Sequence, residues 1–235
     1  MQFNELVSPS MQELFIKSIE DAILSGKLNI GDKLPSERDL AGQMKVSRSI
    51  VNLGLQELVR LGFVEILPRK GAYVADYVRN GNLSTLLEII NYNGGKFDQH
   101  TFESLMEFRL INEGELAALS AKNRTAEDLA NIKYHLDMIA NSTDNMSMSL
   151  AIFKYHHALV CATGNNIYPL VHNDFLGVSV TLMNVVLSAL PNARILDGYE
   201  HIYMAISDQK PDVAKEEMLS LIRSGIVLLR ELYFA

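Results

Sequence analysis

The chain has 235 residues, enough for one large domain or two small ones. Hydrophobic residues are 48% and charged residues 21%, which excludes wholesale disorder, and a single cysteine, Cys161, excludes a disulfide scaffold and a cysteine-rich zinc site. The net charge of −7 speaks against nucleic acid, the opening MQFNELVSPS has no signal-peptide character, and no apolar run reaches the roughly 18 residues of a membrane span, so a cytoplasmic protein with no membrane partner is expected.

The charge is unevenly spread. Residues 1–80 hold ten basic and ten acidic side chains, and Lys33–Lys70 hold seven and four. The excess of acid therefore lies in the rest of the chain, which points to two domains with different partners. In chain order, Met11–Leu24 reads as an amphipathic helix with Phe15, Ile19, Ala22 and Ile23 at helical spacing. Ser10 can cap its start and Gly26 follows its end. Asn29–Asp32 reads as a loop. Ser36, with Asp39 three residues on, opens a short helix over Glu37–Met44. Ser47 caps a third, Arg48–Leu61, whose buried stripe is Val51, Leu55 and Leu58; Gly62 stops it. Gly54, mid-helix, costs about 1 kcal/mol relative to alanine, and the sequence offers no reason for it. Phe63–Leu67 and Ala72–Ala75 read as a β-hairpin across Pro68–Gly71. Three helices and a hairpin make a winged helix-turn-helix.

The start of the third helix would lie in a major groove. Arg48 can address guanine there, Ser47 and Ser49 can bind phosphate, and Asn52 can pair with adenine. Arg38 is placed for a phosphate, and Arg69 and Lys70 sit at the wing tip, in reach of a minor groove. Any one of these charges can equally be a solvated surface group; the set in this order points to DNA. The strings LPSERDLA (Leu34–Ala41), VSRSIV (Val46–Val51) and LGFVEILPRKGAYV (Leu61–Val74) resemble the N-terminal domain of GntR-family bacterial transcription regulators. The resemblance implies DNA contacts by Arg38 and Arg48, with Ser47 and Ser49 beside them and Gly71 in the wing. The family usually has arginine directly after the valine matched by Val51, as VRxAL; this chain has Asn52. An operator different from the family's common one, or one missing phosphate contact, would follow.

After a polar connector, Asp76–Leu83, the pattern is helical to the end. Helices are expected near Leu83–Tyr92, Asp98–Lys122, Ala126–Ala140, Met146–Thr163, Tyr168–Ala189, Ala193–Ser207 and Asp212–Phe234, with turn chemistry between them. The expected fold is mainly α. A winged helix-turn-helix over residues 1–78 precedes an all-helical bundle over 83–235 that binds an effector, dimerises and can enclose a pocket.

Within the bundle, Arg109 has the apolar neighbours Leu105, Met106 and Leu110. Such a cation either snorkels or binds a carboxylate, and its partner is Glu113 one turn on or an acidic ligand. His156 and His201 lie on separate helices and can bind a metal together, or are two ordinary partly buried histidines. The strings FRLINEGELAALSAKNRT, YHHALVCATGNN and YEHIYMAISDQKPDVAKEEM resemble the FCD ligand-binding domain of the FadR subfamily. The resemblance implies that Arg109, with His156 and His201, faces a pocket for a small acid. Many members hold a divalent metal with one Asp and three His. The matching positions here include Ile152 and Leu221, which cannot coordinate. No cofactor is therefore expected, and at most a weak site at His156 and His201.

Together these features predict a transcription regulator acting as a homodimer on a near-palindromic double-stranded operator, tuned by a small acidic effector. One alternative is a DNA-binding dimer with no effector, whose helical domain only dimerises. An enzyme is not expected: the chain has no Gly-rich phosphate loop, no H-E-x-x-H and no nucleophile elbow.

Overall fold

The computed structural model describes residues 9–189 and 192–234. The chain divides into two units, Met1–Gly95 and Lys96–Ala235. The fold is mainly α: a winged helix-turn-helix, then an all-helical domain.

The first unit opens with α1 (Met11–Leu24), where Ser10 and Glu13 form a reciprocal capping box. Then come α2 (Glu37–Met44) and α3 (Arg48–Arg60), whose caps Ser36 and Ser47 accept from Asp39 N and Ile50 N. Lys45, left-handed at φ 54°, makes the sharp turn between α2 and α3. Strands β1 (Val64–Leu67) and β2 (Gly71–Val74) pair antiparallel with Leu67 opposite Gly71. The expected loop before α2 joins this wing: Leu34 N donates to Ala72 O at 2.9 Å, and Gly31 N to Val74 O at 2.9 Å. Phe15, Ile19, Ile23, Val51, Leu55, Leu58 and Phe63 fill the core.

Gly54 has a packing reason. A Cβ there would stand 2.7 Å from Phe15 Cε1, with Cδ1 closer still. Glycine lets α3 seat directly on the α1 ring.

The connector holds a one-turn helix, α4 (Tyr77–Asn80), before α5 (Leu83–Tyr92). Helix α5 packs with the first unit, not with the bundle to which the sequence pattern assigned it. Buried Thr85 Oγ1 donates to Leu61 O at 2.6 Å, Asn82 Nδ2 donates to Arg60 O at 3.0 Å, and Ile89 lies against the first core.

The second unit comprises α6 (Gln99–Asn123), α7 (Ala126–Ala140), α8 (Asn145–Ala162), α9 (Tyr168–Asp174), α10 (Leu176–Ala189), α11 (Asn192–Ser207) and α12 (Pro211–Phe234). Helix α8 is the central rod and buries Met148, Ala151, Phe153, Tyr155, Ala158 and Val160, residues that together cover more than half its circumference. Helices α6, α7 and α10 pack against it, and α12 runs along α6. Side chains tie helices to main chain. Asn123 Nδ2 donates to Thr163 O at 2.8 Å, Arg124 Nη2 to Ser207 O at 2.7 Å, and Tyr155 OH to Tyr199 O at 3.0 Å. The single helix expected over Tyr168–Ala189 is two, bent by 60°. Phe175, at the bend, stacks on Phe108 of α6 with ring centres 5.2 Å apart. The break expected around Leu190 and Pro191 lies outside the described residues.

Candidate functional site

Two sites follow from these elements, one in each unit. In the first, α3 turns Val51, Gly54, Leu55 and Leu58 inward. Helical spacing therefore turns Arg48, Ser49, Asn52, Leu53 and Gln56 outward, and all are exposed. Ser47 Oγ accepts from Ile50 N at 3.3 Å, yet its hydroxyl proton remains available for a phosphate. Arg38 projects from α2 into solvent and Arg69 and Lys70 from the wing turn. Gly71 adopts φ +104°, which lets the hairpin reverse tightly. The sequence-predicted DNA residues thus all stand exposed on α2, α3 and the wing.

The second site is a cavity of about 140 Å³ enclosed by α6, α8, α9, α10, α11 and α12. Arg109, Glu113, His156, His172 and Tyr199 supply its polar lining beside Ser149, Ser179 and Ser224; Ile152, Leu182, Leu221 and Leu229 are among its apolar walls. Arg109 Nε donates to Glu113 Oε1 at 2.6 Å. His156 Nδ1 lies 3.1 Å from Glu113 Oε2, and its Nε2 lies 3.4 Å from the Tyr199 hydroxyl. With the Nδ1 proton on the Glu113 side, Nε2 accepts from Tyr199. One polar chain therefore runs Arg109–Glu113–His156–Tyr199.

Burial opposes the Glu113 charge, but Arg109 and then the hydrogen bond from His156 outweigh it and hold the carboxyl well below its ordinary value. Burial likewise opposes the Arg109 charge, and Glu113 reverses the effect. His172, stacked on Phe153 at 4.6 Å, is driven down to about 4, chiefly by burial and then by His156. Its Nδ1 is buried without a hydrogen-bond partner.

Arg109 and His156 both line the cavity, and Glu113 is the Arg109 partner. His201 does not join them. Its side chain is 63% exposed, 3.7 Å from Glu217, and it does not line the cavity. The α11 residue that does is Tyr199, two positions earlier; residues two apart on a helix face different directions. His172 and Tyr199 were missed by sequence reasoning. Tyr199 has a usable signal, since Ile195, Tyr199, Ile202 and Ile206 form the buried stripe of α11.

The metal implied by resemblance does not fit these residues. Ile152 and Leu221 line the cavity as hydrocarbon, His156 is engaged by Glu113 and Tyr199, and His201 lies off the cavity. Among the described residues no three His, Cys, Asp or Glu side chains gather to hold an ion.

A winged helix-turn-helix joined to a helical domain with an internal cavity is the architecture of a DNA-binding transcriptional regulator. The description "Bacterial regulatory proteins, gntR family" matches residues 15–74 and "FCD domain" matches residues 104–224. The chain belongs to the gntR family of regulators, in its FCD-domain branch. It is 26% identical over 230 residues to the galactonate operon transcriptional repressor of Escherichia coli K12, covering 89% of this chain and 93% of that one. It is 27% identical over 223 residues to the Glc operon transcriptional activator of the same strain, covering 90% and 86%. A solved structure of Lar, which controls expression of the Listeria monocytogenes agr system, shares the fold with a TM-score of 0.69 at 18% identity, covering 97% of this chain and all of that one. These relatives are regulators, not enzymes. No single described helix is long and apolar enough to cross a membrane.

Proposed function

We propose that the protein is a cytoplasmic homodimer that reads a near-palindromic operator through α3 and the wing, and that a small acid in the second-unit cavity tunes its DNA affinity. The observation that carries the effector reading is the polar chain from Arg109 to Tyr199 facing a cavity that also has apolar walls at Ile152, Leu182, Leu221 and Leu229. Glu113 uses two of the five Arg109 N–H donors, which leaves others for a ligand carboxylate. A cavity of this size suits an acid of about benzene's bulk, bound without a resident metal. Dimerisation follows from the DNA, because two heads on two half-sites supply the buried surface that one winged helix lacks. A ligand that binds one head arrangement better shifts the population toward it.

The experiment has two stages. Duplexes selected from a random library by the full chain define an operator, and Arg48→Ala should weaken binding to it by about 1–3 kcal/mol. Unchanged affinity would remove α3 from the interface. A panel of short aliphatic and hydroxy acids, with galactonate from the operon named for one relative, is then screened by thermal shift and operator release. A binding acid raises the midpoint, and Arg109→Ala abolishes that rise. If no acid stabilises the protein, the helical domain serves dimerisation alone.

A further inference from the structure

We propose that Leu53 reads a thymine methyl group in each half-site, beside the base addressed by Asn52. The inference rests on α3 being the helix that enters the groove. Leu53 is 52% exposed and lies on the face of α3 turned away from the core. Its companions there are Arg48, Ser49, Asn52 and Gln56, all polar and exposed. Leu53 follows Ser49 by one helical turn, so the two lie side by side along the helix. A single exposed leucine is unremarked on most surfaces. Here it is an apolar side chain set in a polar row on the DNA-reading face, where it adds nothing to the core formed by Val51, Leu55 and Leu58.

The major groove has one apolar feature on its base edges, the thymine C5-methyl. A leucine matches that feature and no other group there. Asn52 satisfies the donor and acceptor of adenine. Successive residues on a helix point about 100° apart, so Asn52 and Leu53 make two independent contacts, and together they specify two A·T pairs within the half-site. Leu53 also stands at the variable position of the VRxAL pattern, between Asn52 and Gly54, the two residues at which this chain departs from it. The two adjacent positions thus form a local reading pair of this chain's own.

The test uses the full chain and the duplex it selects from a random library. Each thymine of that duplex is replaced in turn by deoxyuridine, which lacks only the methyl group. One position per half-site should lose about fourfold in affinity, the worth of burying one methyl-sized group. Leu53→Ala should be indifferent to the same replacement and should select a motif degenerate at that position and otherwise unchanged. Leu53→Met should keep the preference. Indifference of the wild-type protein to every replacement overturns the inference while leaving the α3 reading intact. So does a deoxyuridine loss that survives in Leu53→Ala. Failure to enrich any duplex overturns the α3 reading and this inference with it.

Discussion

Replacing Gly54 by alanine sets two effects of opposite sign against each other. Alanine is the better helix former by about 1 kcal/mol, so an α3 free of neighbours would be strengthened. Seated on α1, the same methyl would stand 2.7 Å from Phe15 Cε1, about 1 Å inside ordinary carbon contact. Phe15 is 1% exposed, so its ring has no solvent to swing into. Relief requires an off-rotamer ring or a shift of α1 from α3, and overpacking of this kind costs about 1–3 kcal/mol or more. A methyl so far inside contact distance belongs at the upper end. Gly54→Ala should therefore destabilise the first unit by about 2 kcal/mol net. Because the chain has two units, one global unfolding free energy is ill-defined. Hydrogen exchange read by peptide gives the local value: protection of α1 and α3 should fall while that of α8 holds. In a Phe15→Leu background the alanine should cost at least 1 kcal/mol less, the coupling of two side chains in contact. Raised protection of α1 and α3 in Gly54→Ala would refute the close-packing account.

Three further outcomes are expected. Arg109→Ala leaves Glu113 facing only His156, and should destabilise the second unit by roughly 3 kcal/mol in urea unfolding, whereas Arg109→Met with Glu113→Leu should recover most of that. The Glu20 carboxyl is pushed up to about 7, first by burial and then by Glu88, Asp21 and Glu57, against Lys17. The folded state thus holds this proton more tightly than the unfolded chain, and stability of the first unit falls as pH climbs from about 4.5 to about 7; Glu20→Gln should raise the midpoint at pH 8 and not at pH 4. His172 has the opposite sign: its imidazole titrates near 4 when folded and near 6.5 when unfolded, so stability is lost as pH falls between those values. His172→Phe should keep the Phe153 stack and flatten that loss in thermal melts taken from pH 7 to pH 4.

Local chemistry in the sequence located most of the helices. Ser10, Ser36, Ser47 and Thr125 each cap where their side chains allow, because a cap is a contact between residues three apart. The Arg109–Glu113 pair was legible for the same reason, being one turn long. What escaped depends on distant partners. The bend at Phe175 has Gly177, the second residue of α10, as its local mark, which a helix can absorb, and it goes with a ring on α6. The docking of α5 on the first unit depends on the main chain of Arg60 and Leu61. Gly54 is explained by Phe15, 39 residues away. His201 drew attention as a titratable group, yet which α11 residue faces the cavity is decided by helical phase, and the apolar stripe favours Tyr199.

The walls of the cavity differ in how they are fastened. Helices α6, α8 and α11 are cross-linked by directional bonds to main chain, through Arg124 onto Ser207 and Tyr155 onto Tyr199. Helix α9 meets this frame through stacked rings, His172 on Phe153 and, at its end, Phe175 on Phe108. Stacked faces slide over short distances without forfeiting a bond, while a hydrogen bond fails within a fraction of an ångström. The cavity therefore resembles a vice with one sliding jaw. An occupant too large for 140 Å³ would meet its softest wall at α9, where ring faces hold the helix to the frame.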